Sequence, residues 1–215
     1  AVIYSIDMPS GLWADQPSLP DSAIIQANMT LTIGAIKKSL LFPQNEKYTG
    51  DFILIPIGFT EACFDSIPSN DVYITADLCR SFLKKRKKYS HKGQFGHGLL
   101  IAGSHGKMGA CILSAKAALR SGIGLLTAYI PLCGFSILQS TLPEAMVDTD
   151  IDSEKLTAIP DTSSYSAIAI GPGIGMAKQT INAIKTFIEQ QKQPIIIDAD
   201  AINIIGQHKE LLSHI

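Results

Sequence analysis

Aromatic side chains make up only 7% of this 215-residue sequence, and there is a single Trp. That scarcity disfavours an aromatic-rich β-sandwich, whereas the abundant Ile, Leu and Ala suit buried parallel strands covered by helices. Neither charge sign is in excess. The formal net charge of -1 argues against a nucleic-acid binder and leaves small molecules as the expected partners. Cysteine is sparse: Cys63, Cys79, Cys111 and Cys133 stand far apart with no Cys-x-x-Cys pair. Neither a zinc site nor a disulfide framework is signalled, which fits a reducing cytoplasm. No apolar run approaches the roughly 20 residues needed to cross a bilayer, and no charged-then-apolar leader opens the chain, so no membrane role is expected. A starting Met is also missing. Ala1-Val2-Ile3-Tyr4 reads as a strand already under way, in a piece of a longer polypeptide.

What is present is enough apolar material, 46%, for one large domain or two modest ones. Residues 1 to about 78 alternate short apolar runs (Ala1 to Ile6, Met29 to Ile33, Phe52 to Ile57) with loops rich in Pro, Asp, Ser and Gly, and they read as strands separated by long loops. A short helix is expected over Asp77 to Lys88. It would end in the one dense basic run, Lys84-Lys85-Arg86-Lys87-Lys88, which reads as a solvated helix end or linker, or else as a phosphate-binding patch. Residues 79–90 are taken as the linker. From residue 91 the pattern becomes strand (Gly98 to Ala102), helix (Ala110 to Ser121), strand (Leu125 to Ile130) and helix (Phe135 to Thr141). It resumes with strand Ala167 to Ile170, helix Met176 to Gln190, strand Pro194 to Ile197 and a helix from Asp200. Alternation of this kind predicts an α/β fold with a parallel sheet, ligands gathering at the strands' carboxyl ends.

Three loops follow those strands: Gly103 to Gly109, Gly171-Pro172-Gly173-Ile174-Gly175, and Asp198-Ala199-Asp200. Each glycine loop serves as a tight turn or as a nucleotide or phosphate loop, since glycine lets backbone amides approach an anion, and the helix after Gly109 would add its dipole. Gly109, Gly171, Gly175 and Asp198 are the candidate phosphate-loop residues. Asp198 would hold a cation such as magnesium with phosphate oxygens, or orient substrate hydroxyls. Asp200 reads better as the cap of the helix beginning at Ala201. Arg120 reads as a phosphate contact or an exposed helix end. In the first half, Ser5-Ile6-Asp7-Met8-Pro9-Ser10-Gly11-Leu12 puts an acid and a hydroxyl just after a strand. Asp7 is there a general base, a ribose-hydroxyl ligand, or simply the start of a Pro-Ser-Gly turn, and Ser10 is a candidate ligand of a monovalent cation.

Over nearly its whole length the sequence resembles the bifunctional NAD(P)H-hydrate repair enzymes. SIDMPSGL and the Lys37 to Gly50 stretch resemble the C-terminal part of the NAD(P)HX epimerase domain, which places a Rossmann-like end in residues 1–78. SHKGQFGHGLLIAGS, MGACILSAKAALRSGIG, LPEAM, GPGIG and DADAIN, all within residues 91–215, resemble the N-terminal half of the ADP-dependent dehydratase domain, which is ribokinase-like. The resemblance implies a lyase and isomerase pair acting on hydrated nicotinamide cofactor: epimerisation of R- and S-NAD(P)HX, then ADP- or ATP-dependent dehydration of the S form to NADH or NADPH. It implies Mg2+ and K+ as cofactors, NAD(P)HX as the small-molecule partner, and a homo-oligomer. By motif, Asp7, Ala110 and Gly173 would contact the hydrate and Ser10 would bind potassium. The family's Gly-Asp motif, with the dehydratase's catalytic base, has no counterpart in these residues. A ribokinase-like vitamin or sugar kinase and a non-catalytic binding module are the rival readings.

Overall fold

The computed structural model describes every residue except Asn70 and Lys84, so the first cation of the basic run lies outside the described residues. The chain divides into two compact units, Ala1–Tyr73 and Ile74–Ile215.

In the first unit, strands β1 (Tyr4–Ile6), β2 (Met29–Ile33) and β3 (Asp51–Ile55) form a parallel sheet in that order, with Tyr4 beside Met29 and Ile33 beside Ile55. Two short helices, α1 (Glu46–Thr49) and α2 (Glu61–Asp65), punctuate the loops. Polar side chains do much of the interior bonding. The Thr30 hydroxyl donates to the Thr49 carbonyl at 2.8 Å, and the fully buried Asn45 donates to the Ser39 carbonyl at 2.9 Å while accepting from the Ser18 hydroxyl at 2.7 Å.

The second unit opens with helix α3 (Ala76–Phe82), whose N-cap Thr75 accepts from the Leu78 amide. Sequence reading carried this helix to Lys88. It stops at Phe82, where the Leu83 amide bonds to the Arg80 carbonyl and Leu83 turns extended, so Lys85 to Lys88 lie beyond the helix. The five-stranded parallel sheet then comprises β4 (His97–Ile101), β5 (Leu125–Ile130), β6 (Met146–Thr149), β7 (Ala167–Ile170) and β8 (Ile195–Ile197), in the order β6-β5-β4-β7-β8. Helices α4 (Met108–Arg120), α5 (Phe135–Thr141), α6 (Lys178–Gln190) and α7 (Ala199–Gln207) connect or follow them. Strand β6 was not expected: Met-Val-Asp-Thr is short, half polar, and confined to the sheet edge, where among the described residues it pairs with β5 alone.

Central strand β4 shows why its sequence is almost wholly apolar. Its side chains alternate between two cores. Leu99 and Ile101 face one core with Ile168 and Ile170 of β7, Ile184 and Ile188 of α6, and Ile204 of α7. Leu100 faces the other with Cys111 and Ala115 of α4, Ala128 of β5 and Leu138 of α5. Both faces of a parallel sheet are thereby covered, and each fully buried Ile or Leu contributes about 1.5–3 kcal/mol of transfer free energy.

Candidate functional site

Parallel strand direction carries the three loops to one rim of the second unit's sheet, where three helices of nine or more residues begin. Lys107, Ala177 and Asp198 are the N-cap residues of α4, α6 and α7, and none offers a side-chain capping hydrogen bond. First-turn amides at each of these helix starts therefore lack the side-chain acceptor that usually satisfies them. An anion bound at such a start would supply that acceptor and meet the positive end of the helix dipole.

The loops are braced against one another. The Gly103 amide donates to the Pro172 carbonyl at 2.8 Å, the Gly171 amide to the Ile101 carbonyl at 3.1 Å, and the Asp198 amide to the Ile170 carbonyl at 3.0 Å. The Ser104 hydroxyl donates to the Gly173 carbonyl at 2.7 Å. Gly171 sits at φ 131°, and a methyl on it would collide with the Asp198 carbonyl. Gly173 sits at φ 69°, and a methyl there would come within 2.9 Å of both the Ala110 methyl and the Lys107 carbonyl. The two positions expected to share the hydrate, Ala110 and Gly173, are thus in close approach. Nothing lies within 4 Å above Gly109, so the start of α4 is open to a ligand.

The acidic pair divides otherwise than the sequence suggested. Asp198 is the N-cap residue of α7 by position, and its side chain is exposed without a capping bond. Asp200 is not the cap. Its carboxylate accepts from the Gly175 amide at 2.8 Å and lies 3.4 Å from the Lys107 ammonium, tying the third loop to the other two. Tertiary folding supplies both partners, each from a distant part of the chain. Arg120 lies at the C-terminal end of α4 and is exposed, about 18 Å along the helix from the glycine loop. Arg120 is therefore the exposed helix end and does not reach the glycine loops as a phosphate contact. Among the described residues, Asp198 is thus the exposed carboxylate on this glycine-lined rim.

Asp7 and Ser10 belong to the first unit. Asp7 directly follows β1 with φ 66°, a left-handed conformation uncommon for a residue with a side chain. Its carboxylate accepts from the Lys37 ammonium and from the Ile33 amide at 3.0 Å. Those two bonds, the ammonium's first, hold its carboxyl below the usual carboxylate range. Lys37 was not singled out from sequence, because nothing local announces that β2 brings it to Asp7. Ser10 is exposed, and its carbonyl accepts from the Ile25 amide at 3.1 Å. Its hydroxyl is a hard oxygen donor of the kind potassium takes. Among the described residues no group of three or more His, Cys, Asp or Glu side chains is arranged to hold a metal.

A fourth rim loop, residues 150–158 after β6, went unread. Asp150 is 3% exposed, and its two oxygens accept from the amides of Asp152, Thr157 and Ala158 and from the hydroxyls of Thr157 and Tyr129. Burial pushes its carboxyl up, yet the donated bonds prevail and hold it below the usual range. The one available signal was the Asp148-Thr149-Asp150-Ile151-Asp152 run. Two cavities lie in this unit. An apolar trough of about 300 Å3 runs along β7 beside α4, with Pro172 and Asp198 at one end. A groove of about 560 Å3 between residues 157–162 and α6 includes none of the predicted site residues. No helix among the described residues is long and apolar enough to cross a membrane.

A bifunctional NAD(P)H-hydrate repair enzyme of Moorella thermoacetica is 30% identical over 97% of this chain and 41% of its own length. An ADP-dependent (S)-NAD(P)H-hydrate dehydratase of Staphylococcus aureus is 42% identical over 65% of this chain and 51% of its own. The chain therefore spans about half or less of these curated relatives. Among solved structures, a ribokinase-like superfamily protein of Enterococcus faecalis superposes with a TM-score of 0.54 at 27% identity, covering 66% of this chain and 52% of its own. The second unit is accordingly a ribokinase-like α/β fold. With the NAD(P)H-hydrate dehydratase family profile matching residues 98–214, more than half of the sequence, the chain belongs to the NAD(P)H-hydrate dehydratase family.

Proposed function

We propose that this chain is part of a bifunctional repair enzyme for hydrated nicotinamide cofactor. Its second unit supplies, from residue 91 on, one wall of the ADP- or ATP-dependent dehydratase site. Residues 1–78, which contain the first unit, supply the end of a Rossmann-like epimerase domain, and residues 79–90, which include the end of α3, serve as the linker. The observation that carries the dehydratase reading is the convergence of three uncapped helix starts with the braced glycine loops on one rim. The open start of α4 at Gly109 receives nucleotide phosphates, and Asp198 holds the accompanying Mg2+. Ala110 and Gly173 pass close enough to form a surface for the hydrate that carries no side chain larger than a methyl. Phosphorylation turns the hydrate's hydroxyl into a far better leaving group than hydroxide, which is the chemistry that a kinase-like fold brings to a dehydration. Asp200 and Lys107 keep the loops in register, and the Gly-Asp base comes from residues outside this sequence.

For the epimerase half, the charged form of Asp7, stabilised by Lys37, accepts a hydrogen bond from the hydrate, and Ser10 contributes an oxygen to potassium. A cytoplasmic homo-oligomer is the expected setting. The test is to give the full-length protein purified NADHX, Mg2+ and either ADP or ATP, and to follow recovery of dihydronicotinamide absorbance. Nucleotide-dependent recovery is expected. A folded, nucleotide-binding protein that leaves NADHX untouched and phosphorylates a vitamin or sugar alcohol would replace this reading with the kinase one. One that binds nucleotide and transfers nothing would replace it with a binding module.

A further inference from the structure

Two adjacent lysines follow β2, and they are not equivalent. Lys38 pairs with Asp71 at 2.7 Å on the surface. Lys37 turns back on its own loop, its ammonium donating to the Ile33 carbonyl at 2.7 Å and to Oδ1 of Asp7. Backbone and hydroxyl bonds hold the turn between them. The Gly34 amide donates to the Ile55 carbonyl at 2.9 Å, the Ala35 amide to the Ile33 carbonyl at 2.8 Å, and the Thr32 hydroxyl to the Ala35 carbonyl at 3.2 Å. Asp7 and Lys37 thus meet beyond the carboxyl ends of two neighbouring parallel strands, where α/β sheets place their ligands. The left-handed backbone of Asp7, at φ 66°, is the kind of strain that folds retain at working sites.

Counting donors and acceptors leaves two groups over. An ammonium has three N–H groups, and among the described residues protein acceptors take two of those on Lys37. Oδ1 of Asp7 receives both the ammonium and the Ile33 amide, whereas Oδ2 receives no donor among the described residues. Solvent reaches both side chains, since Asp7 is 45% exposed and Lys37 21%. One ligand hydroxyl satisfies both groups: its O–H donates to Oδ2, and its oxygen accepts the spare N–H of Lys37.

We propose that Lys37 is a catalytic residue of the epimerase half, acting as general acid on the hydroxyl of the hydrate. This rests on the reading of residues 1–78 as part of an epimerase domain. The hydroxyl-bearing ring carbon is bonded to the ring nitrogen, and it is the centre at which the R and S forms differ. Lys37 gives a proton to the hydroxyl oxygen, the carbon–oxygen bond breaks with its electron pair going to oxygen, and water departs. The nitrogen lone pair forms a carbon–nitrogen double bond, which leaves a positive ring beside the charged Asp7. A solvent water adds to the opposite face through its own electron pair, and the double-bond pair returns to nitrogen. That water sheds its extra proton to solvent and solvent returns one to Lys37, so the cycle balances. Asp7, held below the usual carboxylate range, stays charged throughout, which suits it to steadying a cation and leaves the proton transfer to Lys37.

The test gives the full-length protein the isolated R epimer of NADHX in water labelled with heavy oxygen. Interconversion is read by chromatography against the uncatalysed rate, and ADP-dependent dehydration of the S epimer serves as the control. The parent should place one heavy oxygen in the hydrate per turnover. Lys37→Met should lower the epimerisation kcat about a hundredfold or more, the usual share of a general acid, with KM within about threefold and dehydration unchanged. Asp7 remains charged at neutral pH in this variant, because an ordinary carboxylate titrates at about 3.9. Lys37→Arg keeps the charge and a donor for Asp7 but releases a proton far less readily, so it should keep the fold and not the rate. A merely structural ion pair would be rescued by Lys37→Arg, and that rescue overturns the proposal. Parent-like epimerisation by Lys37→Met overturns it too, as does turnover without heavy oxygen. If hydrogen exchange shows that Lys37→Met loosens β2, Lys37→Arg decides: a folded unit with kcat still about a hundredfold low upholds the role. A parent that never interconverts the epimers overturns the epimerase reading and the proposal together, whereas active variants beside an active parent overturn the proposal alone.

Discussion

The two units of this chain solve the problem of a parallel sheet in opposite ways. In Ile74–Ile215 both sheet faces are packed by helices, and the strands point Leu99, Ile101, Ile168 and Ile170 into one core and Leu100 and Ala128 into the other. In Ala1–Tyr73 the buried hydrophobic side chains among the described residues are Leu12, Ala27, Leu40 and Tyr48. Ser5, Thr30, Thr32, Ser39, Asn45 and Thr49 are buried beside them, while Ile53 of β3 remains 47% exposed. The second unit is therefore held mainly by area removed from water. The first depends on directed hydrogen bonds, each modest in itself and costly to leave half-made. The same contrast governs chemistry: a rigid apolar platform presents the rim loops, whereas Asp7 is held by individual bonds from Lys37 and Ile33.

The largest effect should come from the platform's rim. Gly171→Val combines a φ of 131° with a collision against the Asp198 backbone and should cost about 4 kcal/mol in urea unfolding of the second unit. Gly109→Ala is the control. It meets nothing within 4 Å, so stability should change by less than about 1 kcal/mol, while a methyl at the mouth of α4 should weaken ADP binding. Equal destabilisation by both would mean that the glycines serve the turn alone.

The next pair tests the comparison directly. Ile184→Ala empties a fully buried position and should cost about 3 kcal/mol. In the first unit Asn45→Ala, which strands the Ser39 carbonyl and the Ser18 donors, should cost about 2 kcal/mol, and the larger apolar truncation Ile53→Ala less than about 1 kcal/mol. Exchange-detected unfolding of each unit separately would measure these. An Ile53→Ala loss exceeding that of Asn45→Ala would break the distinction between apolar and hydrogen-bonded cores.

Where physics is local, the sequence was readable. Met29–Ile33, Leu125–Ile130 and Ala167–Ile170 are uninterrupted or alternating apolar runs between turn residues, and they are strands β2, β5 and β7 at those same residues. The three rim loops follow from strand direction alone. What escaped was set by partners distant in sequence. Strand β6 exists because β5 offers it an edge, not because Met-Val-Asp-Thr insists on being extended. Asp200 looked like a helix cap because Ala201 follows it, and only folding brings Gly175 and Lys107 to its carboxylate. Asp150 lies next to its donors in sequence, yet its burial, which gives the cluster its meaning, depends on Tyr129 of β5 and the core around Leu156.

The smallest effect is the most specific to the first unit. Because Lys37 and Ile33 hold the Asp7 carboxyl below its ordinary range, this group favours the fold above the pH at which it titrates in the unfolded chain. That contribution fades as pH falls through the lowered folded value. Lys37→Met removes the larger of the two causes and leaves the Ile33 amide, so the Asp7 midpoint in a carboxyl NMR titration should rise toward the ordinary value of about 3.9 without exceeding it. The acid limb of the unit's stability should flatten accordingly. Since Asp7 is 45% exposed, solvent screening limits the stability change at neutral pH to about 0.5 kcal/mol or less. The left-handed turn at Asp7 should survive, because the Asp7 amide still donates to the Leu31 carbonyl at 2.8 Å. A midpoint that does not move would show that the amide, not the ammonium, tunes this carboxylate. Lys37 would then be free to meet a ligand rather than committed to Asp7.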